Sequence, residues 1–354
     1  MTTTAPRLEI DLDKIYHNAR ALVDRLSLRG ISVTGITKVA LGAPEIATVL
    51  INAGVSSLGD SRIGNIRTMR TAHITAPTML VRSPMLSEVE QVVALADISV
   101  NTELDVVGGL SHAALAARRT HGIVLMVELG DMREGIMPGE LRKIVASTLE
   151  LKGVELIGFG TNLACFAGVG PSDANMVELF DIVHRIRNEF GIALKLISGG
   201  NSASYEWFTR TRKRGLINNV RLGESIFLGR ETLGRRGIPG LHTDAFTLIA
   251  EVIEARKKPH VPSGEPGQDA FGHVVELEDR GIINKAILGI GRQDVTLDGI
   301  VPRIDVDVLG ATSDHLILDA KDSKIKTGSE VAFDVDYATL LRSMTSPYIT
   351  KELS

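Results

Sequence analysis

The chain is short of cysteine, of charge imbalance and of long apolar runs, and each shortage excludes something. Cys165 is the one cysteine among 354 residues, so no internal disulfide can form. The formal net charge is −4, with 39 Lys and Arg against 43 Asp and Glu. That balance argues against a nucleic-acid partner or a polybasic membrane surface. No stretch reaches the roughly 20 apolar residues a membrane-spanning helix needs. The opening Met-Thr-Thr-Thr-Ala-Pro-Arg7 lacks the apolar core of a signal peptide. There is no low-complexity tract, and no Gly-x-Gly-x-x-Gly follows the first strand, which speaks against a dinucleotide fold. Together these absences predict a cytoplasmic enzyme with no nucleic-acid or membrane partner.

What is present is a core-forming composition, 44% hydrophobic and 23% charged, in a chain long enough for two domains. Leu8–Leu12 alternates like a strand, and Asp13 is placed to cap a helix carrying Ile15, Ala19, Leu22, Val23 and Leu26 on one face. Ile31-Ser-Val-Thr-Gly-Ile-Thr-Lys38 reads as a short apolar strand. Strands then alternate with helices: Ser56–Gly59, Thr78–Arg82, Asp97–Val100, Ile123–Glu128, Val154–Phe159, Ala193–Ile197 and a last one opened by Val220-Arg221. Continuous apolar strands between amphipathic helices mean a parallel sheet covered by helices. Eight such units in roughly 220 residues fit a (β/α)8 TIM barrel better than an open sheet.

Beyond about residue 240 the helical period fades. Phe246–Ile253, Lys285–Ile290, Arg303–Val308, His315–Asp319 and Glu330–Val335 read as strands of a C-terminal antiparallel β domain. The expected division is a barrel over 1–240, with residues 1–12 able to pair with the β domain, and a β domain over 241–354. The Pro- and Gly-rich stretch 257–267 reads as a mobile or interfacial loop.

A barrel of this kind carries its chemistry at the C-terminal ends of its strands, often with phosphate bound after strands seven and eight. Lys38, at the end of the first barrel strand, is a candidate Schiff-base lysine; it is also readable as the place where a strand meets solvent. Gly199-Gly-Asn-Ser202 and Gly223-Glu224-Ser225 follow strands seven and eight, where glycine lets backbone N–H groups approach an anion. Glycines after strands also simply turn the chain. Arg133 sits just past the fifth barrel strand and reads either as a site residue or as a solvated loop arginine. Arg221 lies on the eighth strand, where an interior charge is costly without a partner; an ion pair at the rim is the alternative.

With these residues in place, the whole chain resembles the alanine racemase family of pyridoxal 5'-phosphate (PLP) enzymes. The segments Gly-Thr-Asn-Leu-Ala-Cys165, Ser-Gly-Gly-Asn-Ser202 and Gly-Ile-Gly-Arg-Gln-Asp294 are most similar to its ornithine racemase-like branch. The resemblance implies that Lys38 holds PLP and acts as one acid/base. It implies that Ser202, Gly223 and Glu224 bind the phosphate, the last two through backbone N–H. Arg133 would lie near the cofactor's phenolic oxygen and the substrate carboxylate, and Arg221 would face the pyridine nitrogen. Asn162 stands where a histidine supports that arginine in relatives. Ser313 and Asp314 match a segment that the partner subunit contributes to the substrate site, and Tyr348 lies near a phosphate-contacting position. A homodimer with shared active sites is implied.

Decarboxylating relatives carry Glu where Arg221 stands. A guanidinium stays charged and cannot accept a proton, which favours simple proton exchange at Cα. The chain departs from the family at the second base. Alanine racemases use a tyrosine from the partner's β domain, and Arg292 stands nearest that position. The tyrosine that often follows the PLP lysine is absent too, with Leu41 nearby. Cys165, Asp294 and Tyr337 are the candidates to face Lys38; a lone cysteine such as Cys165 is more often an inert buried thiol, though one near cationic groups can ionise. Glu134, Glu224, Asp294 and Asp314 are available to a distal substrate amine, or to the neighbouring Arg133, Arg221 and Arg292. The expectation is a PLP-dependent racemase of a basic amino acid such as ornithine, or of lysine or alanine. Other reactions of the fold group (decarboxylase, aldolase, dehydratase) and a non-catalytic PLP-binding protein are the alternatives.

Overall fold

The computed structural model describes residues 4–354 apart from 266, 273 and 275–277. The chain divides into two compact units, Asp13–Thr243 and Asp244–Ser354, the second joined by the N-terminal segment through Leu12.

The first unit is a closed barrel of eight strands. They are β2 (Ser32–Ile36), β3 (Ser57–Asp60), β4 (Thr78–Leu80), β5 (Ile98–Asn101), β6 (His121–Met126), β7 (Val154–Gly160), β8 (Leu196–Ser198) and β9 (Asn219–Leu222). Each pairs in parallel with the next, and β9 closes on β2 in the register Ser32–Asn219 to Gly35–Leu222. The helices that intervene include α1 (Leu12–Ser27), which precedes β2, then α2 (Pro44–Asn52), α3 (Ile63–Thr71), α4 (Val89–Leu95), α5 (Leu104–Ala116), α6 (Pro138–Leu149), α7 (Asp173–Phe190), α8 (Tyr205–Arg210) and α9 (Glu224–Phe227). Their ends follow local chemistry. Pro44 opens α2 where a missing N–H is harmless. Ser172 and Asn175 form a reciprocal capping box on α7, and Gly191 ends that helix in the left-handed conformation. In α1 the buried positions Ile15, Ala19, Leu22 and Leu26 recur at helical spacing. Burying each large one contributes about 1.5–3 kcal/mol, and Leu22→Ala would cost about 2–5 kcal/mol.

Side chains from β4 to β8 form an apolar cluster of Met79, Val100, Val124, Met126 and Ile157, flanked by Val81, Ile98 and Leu196. The seam where β8, β9, β2 and β3 meet is polar. Ser198 Oγ donates to Asn219 at 2.7 Å, Asn219 donates to Thr34 at 3.1 Å, and Thr34 bonds Ser57 at 2.9 Å.

The second unit is centred on β10 (Phe246–Pro259), in the order β12-β15-β10-β11-β14-β13. The partners are β11 (Ile282–Leu288), β12 (Ile300–Pro302), β13 (Asp307–Ala311), β14 (Leu316–Asp319) and β15 (Glu330–Val335). The N-terminal β1 (Arg7–Ile10) pairs antiparallel with β10 and parallel with β16 (Thr350–Leu353). The pairing is otherwise antiparallel, so the fold class is the expected barrel followed by a β domain. Among the described residues, no helix is long and apolar enough to cross a membrane.

Four local readings change. β2 stops at Ile36, and Lys38 opens a 3-10 turn over Lys38–Ala40 instead of ending the strand. β10 continues through Lys257 to Pro259, held by β11, so the loop expected over 257–267 starts later; residue 266 lies outside the described residues. The strand expected at Arg303–Val308 is only partly one: residues 303–306 connect β12 to β13, and Asp307 and Val308 begin β13. A helix not foreseen, α10 (Tyr337–Thr345), is capped by Asp336, whose side chain accepts from the Thr339 N–H.

Candidate active site

The Lys38 turn is built by its neighbours. Thr37 donates its N–H to the Gly59 carbonyl at 2.8 Å and its hydroxyl to Asp60 at 2.7 Å. Gly42 closes the turn by donating to the Thr37 carbonyl. At Gly42 φ is +67°, and a Cβ would sit 2.5 Å from the Asn65 carbonyl oxygen, so the position requires glycine. The Lys38 side chain reaches solvent, yet protein crowds it closely enough that lost hydration lowers its amine below the usual lysine range. The positive charge of Arg133 adds to that fall, while Cys165, Asp60 and Glu134 oppose it.

Arg221 projects from β9 and is 4% exposed. Its guanidinium donates to Ser198 Oγ at 2.5 Å, to the Thr161 carbonyl at 2.7 Å and to Asn162 Oδ1 at 2.6 Å. All three acceptors are neutral, and among the described residues no rim ion pair forms. Burial pushes the guanidinium down to about 10, with Arg133 acting in the same direction, and Cys165 and Glu134 holding it up. It remains a cation at neutral pH. Gly160, at the end of β7, makes room: a Cβ there would lie 3.0 Å from Met126 Sδ and 3.4 Å from Arg221 Nη1.

Ser202 begins a short turn after β8 that Asn201 caps. Its hydroxyl oxygen accepts from the N–H groups of Gly223 at 3.3 Å and Ser225 at 3.2 Å, and from the Ser225 hydroxyl at 3.1 Å. Gly200, at φ +109°, gives the sharp approach to this turn; a Cβ would meet Ser204 Oγ at 2.3 Å. The Glu224 carboxylate is engaged by Arg235, which leaves its backbone for any ligand. The buried hydroxyls of Thr161 and Ser204 have no hydrogen-bond partner among the described residues.

The segments after β6 and β7 are tied together by Asp131, a residue sequence reasoning missed. Its carboxylate is 1% exposed and accepts from the N–H groups of Cys165 at 3.0 Å, Phe166 at 3.0 Å and Ala167 at 3.2 Å. Three donors satisfy the buried charge and fix Cys165 at the rim. The Cys165 thiol is exposed and receives a hydrogen bond from Asn201 Nδ2 at 3.0 Å. Arg133 forms a two-pronged pair with Glu134, at 2.6 and 2.9 Å. The barrel's C-terminal end thus brings together Lys38, Arg133, Cys165, Ser202, Arg221 and Gly223, with Asp60 and Asp131 as added supports. Asp60 had one readable signal, a carboxylate ending a parallel strand just before a helix.

The remaining candidates belong to the β unit. Asp294 is 5% exposed and accepts from Ser346 Oγ at 2.6 Å and the Gly291 N–H at 3.2 Å. Those bonds commit its carboxylate to internal structure. The Arg292 guanidinium lies 4.7 Å from the centre of the Phe271 ring and donates to the Ala311 carbonyl at 3.1 Å. Ser313 and Asp314 are exposed in the turn between β13 and β14, and Asp314 bonds His315 at 3.0 Å. Tyr337 opens α10. The Tyr348 side chain is 65% exposed, and its N–H donates to Ser346 Oγ at 3.2 Å.

Comparison with known proteins identifies the family. The model of the alanine racemase N-terminal domain matches residues 10–231. The chain is 39% identical to the ornithine racemase of Acetoanaerobium sticklandii, over 98% of this chain and 99% of that one. It is 38% identical to the lysine racemase of Thermotoga maritima, over 98% of both. In three dimensions it is similar to the alanine racemase of Streptomyces lavendulae, with a TM-score of 0.76 at 19% identity, covering 99% of this chain and 98% of that one. The match across the barrel and the full-length similarity to two racemases carry one conclusion: this chain belongs to the alanine racemase family.

Proposed function

We propose that this amino-acid racemase interconverts the L and D forms of a basic amino acid, ornithine or lysine, with PLP as its cofactor. The observation that carries the reading is a cation, Arg221, buried among neutral oxygens on the strand paired with the one that leads to Lys38, a lysine of lowered proton affinity. The near full-length similarity to an ornithine racemase and a lysine racemase supports the substrate class.

The residues suit this cofactor chemically. The converging Ser202 hydroxyl and Gly223 and Ser225 N–H groups suit a phosphate, and the partnerless hydroxyls of Thr161 and Ser204 suit a polar ligand. When bound, PLP supplies an electron sink for the carbanion left as the Cα proton departs. Lys38 takes that proton from one face of Cα, or returns it. Arg221 offers N–H donors and accepts no proton. Arg133, which can exchange Glu134 for another carboxylate, receives the carboxylate of the substrate. Cys165, held at the rim by Asp131 and hydrogen-bonded by Asn201, is the group we assign to the opposite face. The working assembly is a homodimer in which Arg292, Ser313 and Asp314 serve the partner's site. The single cysteine fits the reducing cytoplasm, where we place the enzyme.

The test is a racemisation screen over the common amino acids and ornithine, read by chiral chromatography. Fastest turnover of ornithine or lysine supports the reading. A preference for alanine, or loss of carbon dioxide in place of racemisation, would contradict it.

A further inference from the structure

Asp60, the last residue of β3, is fully buried. Its carboxylate accepts from the Thr37 hydroxyl at 2.7 Å, the Arg62 N–H at 2.9 Å and Asn65 Nδ2 at 3.0 Å. Two of these bonds serve the start of α3, a task an uncharged serine or asparagine performs as well. Burying a carboxylate is costly, and here burial raises its proton affinity against the pull of those donors. Helix capping alone does not call for that charge. The third bond goes elsewhere, to the residue immediately before Lys38.

The charged and titratable groups that bear on Lys38 come from three places. Asp60 ends β3, Arg133 and Glu134 lie after β6, and Cys165 lies after β7. Burial and Arg133 both strip the amine of its proton, and Glu134 spends its charge on Arg133. Cys165 and Asp60 oppose them, and the Asp60 carboxylate faces the neutral donors of Thr37, Arg62 N–H and Asn65.

We propose that Asp60 is a positioning residue for Lys38: through Thr37 it fixes the turn that carries the lysine, and its charge keeps the protonated amine accessible. This rests on the reading of Lys38 as the reacting amine. Such an amine needs both proton states within reach near the working pH. Asp60 supplies the geometry through one hydrogen bond and the electrostatics through space, and the two are separable by substitution.

The experiment incubates the full-length chain, stripped of cofactor, with PLP over a range of pH. Adducts are trapped with borohydride, and labelling of Lys38 is quantified by peptide mass spectrometry. Asp60→Asn keeps an acceptor for Thr37 but removes the charge, so the pH midpoint of labelling should fall by on the order of one unit. Asp60→Glu should restore it toward the wild-type value. Thr37→Val keeps the charge but removes the bond; it should leave the midpoint in place and slow labelling several-fold, with Thr37→Ser recovering the rate. An unchanged or raised midpoint in Asp60→Asn overturns the proposal. If that variant does not fold, Thr37→Val decides: labelling as fast as wild type overturns it. A wild-type chain that never labels at Lys38 overturns the parent reading as well, a result distinct from a labelled Lys38 with an unmoved midpoint.

Discussion

Arg221 rests its guanidinium on the side-chain oxygen of Asn162 at 2.6 Å, a buried cation on an amide where a carboxylate would have neutralised it. The other acceptors, Ser198 and the Thr161 carbonyl, are neutral too. The site is therefore organised to donate hydrogen bonds from this position and not to store a proton there.

Arg221→Glu would set a buried carboxylate against the Thr161 carbonyl oxygen, an acceptor facing an acceptor. Such an uncompensated group costs about 1–3 kcal/mol or more. Racemisation should fall by at least roughly 10²-fold, corresponding to about 2.7 kcal/mol of lost transition-state stabilisation. Thermal unfolding and chiral assay of the same preparation check both parts; unaltered racemisation would deny Arg221 its role.

Ser202→Ala removes the oxygen on which the Gly223 and Ser225 N–H groups converge. Cofactor affinity should weaken about tenfold or more, since a hydrogen bond to a charged group contributes about 1.5–3 kcal/mol. Equilibrium dialysis against PLP measures this directly. The turnover number at saturating cofactor should change much less than the affinity.

Cys165→Ala separates the two faces of Cα. Loss of a general acid or base costs about 10²–10⁴-fold, so racemisation should drop by that order. Exchange of the Cα hydrogen with heavy water should persist in the one enantiomer that Lys38 serves. Full racemisation in this variant would remove the thiol from the mechanism.

His121 gives a pH dependence unrelated to catalysis. It is 2% exposed, and burial depresses it from 6.5 to about 4. A histidine with a lowered folded value takes up its proton more readily when unfolded. Its contribution is thus present above pH 6.5 and is lost as pH falls toward about 4. At 1.36 kcal/mol per unit the loss is about 3 kcal/mol. His121→Gln, which can still bond Ser99, should flatten this part of the urea-unfolding profile between those pH values.

The alternation of strands and helices was legible because period-2 and helical patterns report which face is buried. The glycine-bearing loops after β8 and β9 were legible because they sit at fixed places in a barrel. The bonds of Asp60 to Thr37 and of Asp131 to Cys165 were not, because they span 23 and 34 residues of sequence and no local pattern marks such a bond. The displacement of Lys38 from strand to turn has the same origin. Val33, Thr34, Ile36 and Thr37 are all β-branched, and the turn after them is set by bonds to Gly59, Asp60 and Gly42. α10 escaped notice as a single short helix between strands, although Asp336 carried a cap signal.

The most direct test of the account follows the Cα hydrogen. Ornithine is incubated with the enzyme and PLP in heavy water, and both enantiomers are analysed by chiral separation and mass spectrometry. The account predicts one deuterium at Cα in each enantiomer, no lost carbon, and no exchange at all with Lys38→Ala. Exchange that survives in Lys38→Ala, or conversion to the diamine with release of carbon dioxide, would contradict it.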